Sequence, residues 1–191
     1  MTAFEHVLLL LSFVYAVALT HLLSSTAALI RAGSRVRFSW FHAGWMANAF
    51  IVIVANWLSF FDMRNERIWS VGTILFMLAL AIANYLQAAL VCMEMPAEGR
   101  VDMQAFHAAQ GRKYMGAVFA SVTLASFANS VLGDALGIGQ WVRQNLVVIP
   151  MVAASVAAFI WIRGWVQAAS LAVFAVCWAL YFFFGLQAAL R

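Results

Sequence analysis

ALTHLLSSTAALIRAG, residues 18–33, closes an apolar run that begins at Val7, and it holds an imidazole, His21, well before the run ends in Arg31 and a glycine. From Val7 to Ile30 the run exceeds the roughly 20 residues a helix needs to cross a hydrocarbon core. A membrane-crossing helix is therefore expected here. The rest of the chain agrees: 66% of the 191 residues are hydrophobic and 9% are charged, with a mean hydropathy of +0.93. Soluble domains carry about half apolar and about a quarter charged residues. Because Glu5 and His6 lead directly into the run, with no basic leader before it, the first helix reads as retained and not as a cleaved signal.

Five further stretches have spanning length, which predicts an all-α polytopic protein, one transmembrane domain over residues 1–191. The six spans fall near residues 5–30, 40–61, 68–93, 107–132, 141–162 and 165–190. Between them stand RAGSRVR, DMRNER, MPAEGRVD, LGDALGIG and a tight RGW at 163–165, all breaker or charged segments. Barrel strands are excluded because no period-2 alternation is present. Pro150 is expected to kink the fifth span, and the Arg163-Gly164 connection to fold the last two spans into an antiparallel hairpin.

The net charge of +4 comes from basic residues scattered through short loops. No block reaches the four to eight clustered cations of a nucleic-acid or lipid-headgroup patch, so no nucleic-acid partner is expected. Loops after spans one, three and five hold seven Lys/Arg, against four on the opposite side. The positive-inside rule then places both termini outside a cytoplasmic (inner) membrane. Trp40, Trp45, Trp69, Trp141, Trp161 and Trp165 lie near span ends, where amphipathic rings anchor at the headgroup level. Cys92 and Cys177 lack CxxC spacing and read as buried free thiols.

Small and polar residues mark the faces expected to meet protein. In span one His21 shares a stripe with Val14, Val17, Ala18, Ser24, Ser25 and Ala28, leaving the leucines for lipid. Asn48 and Asn56 in span two, Asn84 and Gln87 in span three, and Ser121 and Asn129 in span four extend the pattern. These six, with His21, are the candidate lining of a polar pathway: the amides supply hydrogen bonds and the imidazole a titratable group. Spans five and six are plainer, and the alanine ridge Ala168, Ala172, Ala175 and Ala179 suits a scaffold or a homo-oligomer contact. Laying residues 1–95 over 104–191 gives faint matches at offsets of 96–100, the pattern of a 3+3 inverted repeat.

Phe-His-Ala occurs at both 41–43 and 106–108. His21, His42 and His107 are thus candidate axial ligands for haem b, provided the end of span one bends; a straight helix leaves His21 about 15 Å below Arg31. A zinc site is not indicated, since HExxH and HxxxH are missing. At the other end Glu5, Asp62 and Arg64 are candidate vestibule residues. There is no GxSxG, Walker or dinucleotide-glycine pattern, no filter resembling TVGYG, and the sole lysine, Lys113, opens a span instead of lying deep in one. Three functions remain: permeation of a proton, ion or small polar solute; redox service with haem b or a quinone; and a non-catalytic assembly or sensory subunit.

Overall fold

The computed structural model describes residues 3–60, 69–96, 99–132 and 137–185. Among these residues the helices are α1 (Ala3–Ala32), α2 (Trp40–Ser59), α3 (Val71–Val91), α4 (Met103–Leu132), α5 (Ile138–Gln144), α6 (Val148–Ile160) and α7 (Gly164–Leu180). A π-helical turn, Tyr181–Gly185, follows α7. Two short strands, β1 (Val36–Arg37) and β2 (Val101–Asp102), precede α2 and α4.

Local chemistry fixes the helix ends. Nothing in α1 interrupts the apolar run until Gly33, whose φ of +52° suits a residue without Cβ and ends the helix. Ser39 caps α2 by accepting from the His42 amide, and Ser70 caps α3 by accepting from the Thr73 amide at 3.0 Å. For α4 the cap is Asp102, whose Oδ1 accepts the backbone N–H of Gln104 and of Ala105, each at 2.9 Å.

β1 and β2 pair in parallel, Val36 with Val101 and Arg37 with Asp102, and an Arg37–Asp102 ion pair of 3.0 Å closes the contact. Each partner lies 65 residues from its mate, the same spacing that separates the two Phe-His-Ala triplets. α2 and α4 therefore start side by side and run in the same direction. The expected inverted repeat, with offsets of 96–100, is a separate relation that this parallel pairing does not show.

The Phe41 ring lies 3.4 Å from where a Gly164 Cβ would be, which brings the start of α7 to the same end as α2 and α4. α6 and α7 form the antiparallel hairpin, with the Ser170 hydroxyl donating to Ala154 O at 3.1 Å and Gln167 Nε2 to Ala158 O at 3.0 Å. One end of the bundle consequently gathers Arg31, Arg35, Arg37, Arg100 and Arg163, whereas Arg112 and Lys113, expected in a loop, lie in the third turn of α4. We call it the basic end.

Among the described residues four helical segments are long and apolar enough to cross a membrane: Phe4–Arg35, Trp40–Ser59, Val71–Val91 and Gly164–Phe183. α4 is 30 residues long, and α5 and α6, which meet at 77°, make a fifth candidate if the bent pair is one span. Pro150 is not the cause of that bend: it sits in the first turn of α6, where a missing N–H costs little. The break falls at Asn145, which is buried and folds its amide back onto Trp141 O at 2.9 Å.

The core is aromatic and tight, with Tyr15, Trp45, Tyr114 and Phe174 its largest fully buried side chains. Leu9, Phe13, Leu23, Leu75, Ile82 and Leu86 stand exposed, as lipid contact requires. Trp45 corrects the anchoring expectation: it packs edge-on to Phe174 and donates to Gln167 Oε1 at 2.8 Å, so it is core. Trp40, Trp161 and Trp165 are exposed at the basic end, as anchors would be. The alanine ridge of α7 is exposed as well.

Candidate functional site

The face of α4 turned inward carries polar groups at every second turn: His107, Tyr114 and Ser121 are all buried and seven residues apart. Residues i and i+7 share a helical face, so the three form a line about 21 Å long. At its middle end the Ser121 hydroxyl donates to Asn84 Oδ1, and Asn84 Nδ2 donates to the Tyr15 hydroxyl at 3.3 Å. This clamp joins α1, α3 and α4. Each interhelical bond of this kind contributes about 0.6 kcal/mol in a membrane.

One turn from Asn84 towards the basic end, Gln87 is 1% exposed, and neither its Oε1 nor its Nε2 has a partner among the described residues. Nearer that end, His107 Nδ1 is hydrogen-bonded to the Tyr114 hydroxyl while its Nε2 is unpartnered. His42 is fully buried beside them, its ring 5.1 Å from Phe106 and 6.0 Å from Tyr114, with both nitrogens unpartnered. Gly111, between the two turns, lies against the pair: a Cβ there would touch the Tyr114 hydroxyl oxygen at 3.8 Å, an ordinary van der Waals contact. Among the described residues His42, Gln87 and His107 thus hold five buried polar atoms without partners, three of them imidazole nitrogens, and Asn48 Nδ2 and Thr123 Oγ1 are two more. Buried polar groups are ordinarily satisfied, so such atoms mark places where water, a proton or a solute belongs.

Of the expected lining, the structure joins Asn84 and Ser121 directly and places Gln87 one turn on. Asn48 is buried elsewhere, accepting from Trp178 Nε1 at 2.9 Å with its Nδ2 unpartnered, and Asn56 donates to its own helix at Val52 O. His21 stands exposed on the outer surface, edge-on to the Tyr85 ring at 5.9 Å. The buried line of α1 runs through Leu11, Tyr15, Ala18, Leu22 and Ser25, so the expected stripe holds at Ala18 and Ser25 and fails at His21 and Ser24. Glu5 is exposed in the first turn of α1. Asp62, Arg64 and the side chain of Asn129 lie outside the described residues.

α1 runs unbroken to Ala32, so His21 does not reach the level of His42 and His107. Phe106 packs against His42 at 5.1 Å, and Phe41 against His107 at 6.3 Å. Among the described residues no group of three or more His, Cys, Asp or Glu could hold a metal ion. Sequence reasoning missed Tyr15 and Tyr114; the seven-residue spacing of His107, Tyr114 and Ser121 was the signal that could have found the second. Comparison with protein-family models, curated proteins and solved structures gives no match.

Proposed function

We propose that the chain crosses the cytoplasmic (inner) membrane six times, with its basic end inside and both termini outside, and moves protons along the inward faces of α2, α3 and α4. In this reading α4 and the bent α5–α6 pair are the fourth and fifth crossings, and the exposed alanine ridge of α7 is available for self-association. The observation that carries the reading is the set of unpartnered buried atoms on His42, Gln87 and His107. They continue through Tyr114 towards the Asn84–Ser121–Tyr15 clamp. The line covers about 21 Å of a hydrocarbon core roughly 30 Å thick. Among the described residues no carboxylate is buried, so the line offers a metal cation no counter-charge. Imidazoles, hydroxyls and an amide suit a proton.

The test is decay of an imposed pH gradient in liposomes containing the purified chain and a trapped pH dye. Wild type is expected to collapse the gradient faster than protein-free liposomes, and Gln87→Leu to slow it roughly tenfold, the loss of about 1.4 kcal/mol at the barrier. Decay indistinguishable from protein-free liposomes overturns the proposal. The saturated Tyr15–Asn84–Ser121 clamp favours a second reading in that event, a non-catalytic assembly or sensory subunit whose polar groups hold helices in register.

A further inference from the structure

On the outer side of the bundle, near the basic end, α1 and α2 diverge around a groove of about 680 Å³. Its walls are Leu22, Thr26 and Leu29 from α1 and Ala47 and Phe50 from α2, and Met46 and Met103 form its buried floor. From Leu22 to Gly33 it runs 11 residues along α1, about 16 Å, and no charged residue lines it.

The floor gives the groove its meaning. Met46 is four residues beyond His42 on α2, and Met103 four before His107 on α4. Side chains at i and i+4 are neighbours on a helix surface, so each methionine stands one turn from an imidazole with an unpartnered nitrogen. Met side chains are unbranched and adapt readily. Neither His42 nor His107 lines the groove, so a bound molecule reaches them only if the Met46 and Met103 side chains move. When the Tyr114 hydroxyl donates to His107 Nδ1, the His107 proton resides on Nε2, and His42 in either neutral tautomer offers a second N–H.

We infer that this groove and the two histidines bind a lipid-soluble para-quinone, with its apolar tail between α1 and α2 and its two carbonyl oxygens accepting from His42 and His107. A neutral head with two acceptors matches two neutral donors, and an uncharged channel passes it. A fatty acid or a phospholipid would bring a charged carboxylate or phosphate to a groove whose lining residues carry no charge. The inference needs no proton flux, since it stands on the groove and on the hydrogen-bonding capacity of the histidines.

The experiment is a titration of decylubiquinone into the full chain in phosphatidylcholine nanodiscs, read by quenching of tryptophan fluorescence; Trp45 lies three residues from His42. Saturable quenching at one quinone per chain is expected. Ala47→Phe, on the exposed side of the groove, and His42→Phe are each expected to weaken binding roughly tenfold, as loss of one good contact would. Ala47→Phe lies off the polar line, so it should leave gradient decay as in wild type, and it keeps the test decisive if His42→Phe does not fold. Quenching that rises without saturation, that is the same in wild type and Ala47→Phe, or that oleic acid or phosphatidylglycerol abolishes as well as a second quinone does, overturns the inference.

Discussion

Asn84 is the residue on which three helices depend, because its amide both accepts from Ser121 and donates to Tyr15. Asn84→Ala leaves two buried hydroxyls without partners, and each such loss costs about 1–3 kcal/mol. Ser121→Ala leaves only one buried polar atom, Asn84 Oδ1, without its partner and so costs about half as much. Unfolding of both variants in mixed SDS micelles checks the order; equal losses would show that the clamp is not shared through Asn84. At His21 exposure decides the expectation. His21→Ala should leave the pH dependence of gradient decay as in wild type, whereas His42→Phe should remove it. Measuring both decay profiles between pH 5 and pH 8, about the range in which imidazole titrates, separates the surface ring from the buried one.

These side chains also show what a sequence of this composition can and cannot reveal. Asn84, Gln87 and Ser121 stand out because amides and hydroxyls inside apolar runs need partners, and the structure buries all three. His21 was misplaced for a related reason. A stripe of small residues fixes the face of α1 only to within a neighbouring position, and the bulky Tyr15, Leu11 and Leu22 set the actual rotation.

At the scale of elements, the start of α4 depends on Asp102. Its carboxyl is held below the usual carboxylate range, chiefly by the Ala105 backbone N–H and further by Arg37 and the Gln104 N–H. A group whose folded pKa is depressed stabilises above its unfolded value, about 3.9 for Asp, and loses that contribution as pH falls through the folded value. Thermal unfolding should therefore show Asp102→Ala less stable than wild type at pH 7, with the difference shrinking in acid. A difference constant with pH would assign the loss to something other than the carboxylate.

Where α2 passes α7, a Cβ at Gly44 would come 2.8 Å from Leu171 Cδ1. The flexible end of Leu171 can give way to Ala. Gly44→Val should part the helices and cost about 1–3 kcal/mol, as overpacking does; unfolding of the two variants compares them. Helix positions were readable in the sequence from apolar run length, and the α6–α7 hairpin from its short connection. The 77° bend between α5 and α6 was not, because a proline is visible in a sequence whereas a buried Asn145 that closes its own turn looks like any other loop amide.

For the whole molecule, the up-and-down helix order collects Arg31, Arg35, Arg37, Arg100 and Arg163 at one end, and the parallel β1–β2 register sets the two Phe-His-Ala triplets side by side there. Scattered loop arginines thus acquire a common level that no single segment shows. The central claim is that the buried polar line of α2, α3 and α4 meets water inside the membrane. Water-edited solid-state NMR of the chain in lipid bilayers, with ¹⁵N-labelled histidine and assignment by His42→Phe and His107→Phe, tests it most directly. Magnetisation from water should reach the His42 and His107 rings on the timescale seen for hydrated sites; rings that receive none while His6, near the first turn of α1, does would contradict it.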